Sequence, residues 1–427
     1  MATRPLPSPG PQAVPSRGRK WKRVFDSRLF SITTKFLVLP LIGTLVSAMI
    51  IGRIANTFLG PKTYSVVVVG GEGDSSVYDM MKAAAGGSYE SIGDVAVKSE
   101  TIDDYGDPQQ AATIAQELAN RPDVLMVVGH VYSTVTKSAL PIYLKAKPPI
   151  PVILTTETNP TLVPSPAKGS SEIGPPVFRL FPTDTDQAID AAKFFCDQHA
   201  KSIWVVEDTT NPTYSEYLAR EFLKDVYKEH PELKVILWSN NLNLPPYSVD
   251  KLGIDWVFFA GNWQNALILV RQLKALPGDK KPKLLLSDAS ADPFLLKYGG
   301  DEVNGVYLLH PMSPDVFTKD GYVAVGEEAS KLSVELVRKV HENFKDLAYE
   351  AAPVPYTLRK WLGLHRVSDA RRAMTQYMSK AATFRLPITA GATTIEMGLE
   401  PNSHLLIREN ARFHVWRIDH GRFVPVQ

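Results

Sequence analysis

From about residue 64 onward, short apolar runs alternate with longer amphipathic stretches, a pattern that indicates repeated strand–helix units. The apolar runs lack the polar alternation of a half-exposed strand, so they are typical of strands buried on both faces. The first series predicts strands at 64–69, 95–99, 124–128 and 151–154, with helices near 76–85, 108–118 and 133–143.

A second series begins after the break at Pro175 and Pro176. It predicts strands at 202–206, 234–238, 256–260 and 283–286, with helices at 184–195, 214–227 and 262–273. Repeated units of this kind predict an α/β fold of two lobes, each a parallel sheet with helices on both faces, joined by a multi-strand hinge. The tail is less regular and predicts helices at 322–344 and 368–378 and short strands at 393–397, 404–407 and 413–418.

Two strand ends in the first series are followed by turns rich in hydroxyl groups, 129–136 and 153–160. Ser133 or Thr134 stands where a helix N-cap is expected, so a hydroxyl and free backbone N–H groups should face one crevice. Such a helix terminus favours anions. Neighbouring strand ends of an open α/β sheet form a small-molecule site, although ordinary helix capping explains either turn alone equally well.

These residues carry a resemblance that extends in order from about residue 63 to residue 418. The chain resembles the type I periplasmic binding proteins, the two-lobed family that includes the leucine/isoleucine/valine-binding proteins of ABC transporters. The matching segments are Gly-His-x-x-Ser at 129–133, Ile-Tyr at 142–143, Thr-Asn-Pro at 158–160, Val-Phe-Arg at 177–179, Pro-Thr-Asp at 182–184, Asp-Trp-Val-Phe at 255–258 with Gly261, Arg-Gln at 271–272, Asp-Pro at 292–293 and Gly-Val-Tyr at 305–307.

The resemblance implies ligand-binding roles in the first lobe. Ser133 matches the hydroxyl that binds an amino-acid carboxylate, and Thr158 matches one that contacts both carboxylate and amine. Thr156 matches a position that offers its backbone carbonyl to the amine, and Tyr78 matches the aromatic residue of the first strand–helix turn.

In the second lobe the resemblance makes Tyr214 and Trp263 aromatic neighbours of the ligand, and Asp288 the acid that pairs with its ammonium. Core packing is the alternative for each aromatic ring, and helix capping is the alternative for Asp288. Two features depart from the family. Glu157 replaces a small residue and 211–213 lengthens the turn before Tyr214, which indicates either a cationic or amide ligand or a loss of ligand binding.

The net charge of +2 hides an asymmetry between the two ends of the chain. Residues 1–35 carry eight Lys or Arg and one acid, Asp26, and five of the first 15 residues are proline, so we predict a disordered basic tail. The uncharged run 36–52 is at the short edge of what spans a bilayer, and extending it to 59 lets Arg53 snorkel. An uncleaved signal anchor with the tail in the cytoplasm is favoured. A cleaved signal peptide and a buried core helix remain alternatives.

Other classes of protein receive little support. The segment 71–76 resembles a dinucleotide-binding motif but lacks its third glycine, and Glu72 and Asp74 would repel a pyrophosphate. The basic segment 17–23 adjoins an apolar run and contains one aromatic residue, which disfavours nucleic-acid binding.

The single cysteine, Cys196, excludes an intrachain disulfide and is interpreted as a small buried apolar residue. No nucleophile–base or metal-ligand motif is present, so we expect no enzyme activity, no cofactor and no metal.

The sequence therefore predicts a cytoplasmic tail at 1–35, a transmembrane anchor at 36–59 and a binding domain at 61–427. Lobe 1 should comprise about 61–180 and 310–365, and lobe 2 about 181–309 and 366–427. The expected protein is a single-pass cell-membrane protein whose large domain is periplasmic or on the cell surface. It should close on a small polar ligand, an amino acid or related amide, and deliver it to an ABC permease. The alternative is a ligand-sensing module that acts on a sensory partner and is not coupled to transport.

Overall fold

The computed structural model divides the chain into two compact units, residues 1–60 and residues 61–427. The structure describes residues 42–44, 47, 63–71, 75–86, 96–163, 175–240, 242, 249, 251–278, 281–311, 323, 325–327, 329–338, 371–372, 374, 386–390, 393–399, 406–408 and 412–426. In the first unit these are four helical residues, so the predicted tail and almost all of the predicted anchor lie outside the described residues. Among the residues that are described, no helix is both long and apolar enough to cross a bilayer.

The first sheet of the second unit has five parallel strands in the order β2-β1-β3-β4-β5. The strands are β1 Thr63–Gly70, β2 Ala96–Asp103, β3 Val124–Val128, β4 Val152–Leu154 and β5 Val177–Arg179, and the helices are α1 Ser75–Gly86, α2 Pro108–Asn120 and α3 Ser133–Lys145. Alternate residues of β1 point to opposite faces: Val66 joins the core under α1, and Val67 joins the core under α2 and α3. Both faces are therefore covered, as the uninterrupted apolar runs predict.

The second sheet has seven strands in the order β15-β14-β10-β9-β8-β6-β7. Its strands are β6 Ile203–Glu207, β7 Val235–Ser239, β8 Trp256–Ala260, β9 Lys283–Leu286, β10 Tyr307–His310, β14 His414–Asp419 and β15 Arg422–Pro425, and its helices are α4 Asp184–Asp197, α5 Pro212–Glu229, α6 Trp263–Lys274 and α7 Pro293–Gly299. Helices α4 and α5 cover one face, and α6 and α7 cover the other. The prediction of a wholly parallel sheet is wrong here, because β14 and β15 join antiparallel as a hairpin at the edge.

The last part of the chain contributes to both lobes. Described helical residues between 323 and 338 place Val325 and Leu332 in the first core, as predicted. Met374 lies in that core too, and the Arg371 guanidinium donates to the backbone carbonyls of Val124 and Arg121. The predicted boundary, which gives all of 366–427 to lobe 2, therefore needs correction around these residues. Strands β11 Leu386–Ala390, β12 Thr393–Leu399 and β13 Leu406–Arg408 form a small antiparallel sheet.

Candidate functional site

A cleft opens between the two lobes at the carboxyl ends of their strands, where ligands bind in open α/β folds. Its empty space, counted out to the mouth, is about 600 Å³. The lining residues come from both lobes and are Val131, Tyr132, Ser133, Thr156, Phe181, Asn211, Tyr214, Asn262, Asp288, Ala289, His310 and Val325. None of these described lining residues is a lysine or an arginine, and Asp288 is the one carboxylic acid among them.

The first wall is the turn from β3 into α3. Gly129 begins it with a φ of +110°, and a Cβ at this position would lie 2.0 Å from the carbonyl oxygen of Val69, so the turn requires glycine. The predicted N-cap is wrong by one residue: Tyr132 is the N-cap with an extended backbone, and α3 begins at Ser133. The side chain of Tyr132 makes no capping hydrogen bond, which leaves the first-turn amides available to other acceptors.

A buried polar network supports this turn from below. The two ring nitrogens of His130 lie 2.8 Å from Asp104 Oδ2 and 2.9 Å from Tyr143 Oη. Thr136 donates through its hydroxyl to Glu157 Oε1 at 3.0 Å, which ties the turn to the neighbouring one. Burial raises the pKa of Glu157 above its ordinary value. This acid, which departs from the family pattern, therefore serves the framework of the two turns and does not line the cleft.

The second wall carries an acid and a phenol that contact each other. The Tyr214 hydroxyl donates to Asp288 Oδ1 at 2.6 Å, and the same hydroxyl lies 3.2 Å from Gln187 Oε1. Burial raises the pKa of Asp288, although the hydrogen bond from Tyr214 acts in the opposite direction. A carboxylate in this position would be stabilised by a cationic partner arriving from the cleft.

A second carboxylic acid lies just behind this wall. Asp184 is fully buried, and neither of its carboxylate oxygens nor the Gln187 side-chain nitrogen has a hydrogen-bond partner in the described structure. Burial, and then the neighbouring Asp288, raise the pKa of Asp184 well above its ordinary value. The positive charge of Arg179, whose guanidinium donates to the carbonyls of Glu157 and Asn159, acts against this rise in pKa. The second wall is thus rich in acids.

Four polar residues join the lobes directly at the rim of the cleft. The backbone N–H and the hydroxyl of Thr134 both donate to Asn211 Oδ1, at 3.1 and 2.8 Å. The N–H of Thr213 donates to Thr134 Oγ1 at 3.1 Å, and the Asn159 amide donates to the carbonyl of Thr213. We call these contacts of Thr134 and Asn159 with Asn211 and Thr213 the rim latch. All the groups that the second lobe contributes to the rim latch belong to the lengthened turn at 211–213.

The structure brings Ser133, Thr156, Tyr214 and Asp288 to the cleft, and these remain predicted ligand contacts. Two other predicted residues lie elsewhere. Thr158 is buried behind the wall, where its carbonyl accepts from Asp184 N at 3.0 Å. Trp263 stacks on Tyr298 with ring centroids 5.8 Å apart and is not among the lining residues. Tyr78 lies in α1, and its side chain is outside the described part of the structure.

Sequence reasoning missed several lining residues, among them Asn211, His310 and Phe181. Two of them carried a usable signal. His310 ends β10, and the carboxyl end of a strand is where a site is expected. Asn211 begins the turn whose extra length was visible in the sequence. Phe181 lies in the crossing between lobes and had no periodicity to reveal it.

Comparison with known proteins places this fold in a family. The profile of the family described as periplasmic binding protein matches residues 75–325. No curated protein shows significant sequence similarity to the chain. The chain belongs to the periplasmic binding protein family, a solute-binding, non-enzymatic fold, which agrees with the expectation that it is not an enzyme.

Solved structures of the same fold match this chain over nearly the whole of their own length. A leucine binding protein from Thermotoga maritima matches with a TM-score of 0.65 and 16% identity, covering 85% of this chain and 98% of the other. A branched-chain amino acid ABC transporter protein from Thermus thermophilus with bound valine gives 0.64 and 14%, covering 86% and 95%. A solute binding protein from R. palustris in complex with 4-hydroxybenzoate gives 0.61 and 14%, covering 86% and 96%. At these identities the likeness concerns the fold alone.

Proposed function

We propose that this chain is a membrane-anchored, extracytoplasmic solute-binding protein that closes on a small polar ligand, an amino acid or related amide, for ABC-type import. One observation carries the proposal: hydroxyl groups and the Tyr214–Asp288 pair line opposite walls of one interlobe cleft. A ligand that contacts both walls favours the closed state, whereas a ligand held by one lobe alone has no such preference. Binding and closure are therefore coupled by this arrangement.

The charges of the cleft favour a ligand with an amino group. Asp288 lines the second wall, Asp184 lies behind it, and the described lining contains no lysine or arginine. Ser133 can donate its hydroxyl hydrogen to the carboxylate or amide oxygen of the same ligand, whereas the Thr156 hydroxyl already donates to the Val131 carbonyl at 3.0 Å and offers the ligand an acceptor oxygen. An aromatic acid such as the 4-hydroxybenzoate of the R. palustris protein would meet Tyr132, Phe181 and Tyr214, but it has no ammonium group to pair with Asp288.

A thermal-shift screen of residues 61–427 tests the proposed ligand class. Amino acids, their amides, polyamines and short carboxylates without an amine should be compared, followed by calorimetry on compounds that raise the melting temperature. A saturating ligand stabilises the protein in proportion to the logarithm of its concentration over Kd. We expect amino compounds to stabilise it and simple carboxylates to have no effect. Stabilisation by carboxylates alone would contradict the proposal.

The membrane anchor is a separate part of the proposal with its own test. Because the basic residues of 1–35 should stay inside, a reporter at the N-terminus should be cytoplasmic and residues 61–427 should be accessible to protease from outside. Recovery of a processed chain that begins between residues 57 and 64 would show a cleaved signal instead. An N-terminal reporter on the outer side would overturn the proposed orientation.

A further inference from the structure

A second cluster of functional groups lies on lobe 2, among the described residues and outside the cleft. Cys196 is near the end of α4, His230 follows the end of α5, and Glu232 lies in the turn beyond it. Cys196 Sγ is 3.2 Å from His230 Nδ1 and 3.1 Å from Glu232 Oε1, and the latter two atoms are 3.5 Å apart. Cys196 packs partly buried against the core of lobe 2, and its sulfur also contacts these two polar side chains, which the interpretation as an apolar residue does not include.

The triangle has the dimensions of a metal site. Bond lengths of about 2.3 Å to sulfur and about 2.0–2.2 Å to nitrogen and oxygen place the ligand atoms of a tetrahedral zinc about 3.3–3.6 Å apart. The three distances found here are within a few tenths of an ångström of that range. Thiolate, imidazole and carboxylate are all zinc ligands, and three of them leave the fourth position for water.

The surroundings of the triangle support a cation. The other ring nitrogen of His230, Nε2, lies 3.8 Å from Asp225 Oδ2, and a shift of less than about 1 Å would form the carboxylate–histidine hydrogen bond that orients a metal-bound histidine. Asp225 Oδ2 is buried and has no hydrogen-bond partner in the described structure. His230 and Glu232 are 26% and 61% exposed, so an ion can enter from solvent.

We propose that Cys196, His230 and Glu232 form a zinc-binding site, with Asp225 as the residue that orients His230. Such an ion would join the C-terminal ends of α4 and α5. Both helices begin at the cleft, where Asp184 opens α4 and Tyr214 lies in the first turn of α5. Zinc would therefore fix the spacing of the two helices that carry Asp184 and Tyr214 of the second wall.

The single cysteine makes the test specific, because any thiol signal comes from Cys196. Co²⁺ titrated into the metal-free full-length protein should produce one thiolate-to-cobalt charge-transfer band that saturates at one ion per chain. Zn²⁺ should remove the band and protect the thiol from a disulfide reagent. Absence of a thiolate band, or a thiol equally reactive with and without Zn²⁺, would overturn the proposal.

Five variants separate the proposed ligands from general electrostatic attraction. We expect Cys196→Ser to abolish the band, and His230→Ala and Glu232→Gln to weaken zinc binding at least tenfold. Asp225→Asn should weaken it about tenfold while the band persists, since a partner beyond the ligands tunes affinity by about 10–100-fold. Asp197→Asn removes an exposed neighbouring acid and should change affinity less than twofold. Equal losses for Asp197→Asn and Glu232→Gln, or unchanged binding by Cys196→Ser, would contradict the site.

Discussion

Replacing Asp288 with alanine is expected to weaken binding of an ammonium-containing ligand by about 2–5 kcal/mol, the cost of leaving a buried charge without its partner. The melting temperature of the unliganded protein should hardly change. Burial of the Asp288 carboxyl group costs desolvation energy, so removing it relieves that cost. The Tyr214 hydroxyl, which loses Asp288 as an acceptor in the variant, can still donate to Gln187 Oε1. Isothermal calorimetry and thermal unfolding of the wild type and the variant measure both quantities.

Asp292 provides a matched control four residues further along the same segment. Its carboxylate accepts from Phe294 N at 2.7 Å and caps α7, so Asp292→Ala should cost about 1 kcal/mol of stability and leave ligand affinity unchanged. If Asp288→Ala loses as much unliganded stability as Asp292→Ala and keeps its affinity, Asp288 is a structural residue and not a ligand contact.

The raised pKa of Asp288 gives the same interaction a pH dependence. A protonated carboxyl group cannot pair with an ammonium, so affinity should fall as pH is lowered through a pKa above the ordinary value of 3.8. The unliganded protein should show the opposite trend. A carboxyl group whose pKa is raised on folding contributes less stability as pH rises from the unfolded value through the folded one. Asp288→Asn should flatten the pH dependence of affinity and reduce that of stability, to which the raised pKa values of Asp184 and Glu157 also contribute. An unchanged pH dependence of affinity would point to another acid.

Asn211→Ala is expected to weaken ligand binding by about 1–3 kcal/mol, through the equilibrium between open and closed lobes. Asn211 Oδ1 accepts two hydrogen bonds from Thr134 of the other lobe, and each net hydrogen bond contributes about 0.5–1.5 kcal/mol. In an open state water would replace these contacts, so their loss disfavours closure specifically. The dissociation constant and the dissociation rate of a ligand found by the screen measure the effect.

Thr210 is the control for the rim latch. Its hydroxyl contacts Asp208 and Asn262 within the second lobe, so Thr210→Val alters the same turn without touching the first lobe. We expect its ligand affinity to stay near that of the wild type. Equal losses for Asn211→Ala and Thr210→Val would show that the turn is being disordered, and that direct contact between the lobes is not what holds the cleft closed.

The hydrophobic pattern predicted most of the fold because a strand buried on both faces is an uninterrupted apolar run in the sequence. The run at 256–260, for example, is β8 in the structure. The antiparallel hairpin of β14 and β15 was harder to predict, since strand direction depends on pairing with distant β10. At the site, a strand end pointed to the turn that holds Ser133, and the family resemblance supplied Thr156 and Asp288. Local hydrophobic periodicity carries no information about contacts between segments far apart in sequence. The contact of Asn211 with Thr134 and that of Cys196 with His230 are of this kind and could not be predicted.

Small-angle X-ray scattering of residues 61–427 tests most directly whether the cleft closes on a ligand. The tightest-binding compound of the screen should reduce the radius of gyration at saturation and be recovered chemically unchanged. The reduction should be larger in Asn211→Ala, whose unliganded lobes are less often closed. Tight binding with no change in the radius of gyration of either protein, or conversion of the ligand to a product, would contradict a binding protein that closes on its ligand.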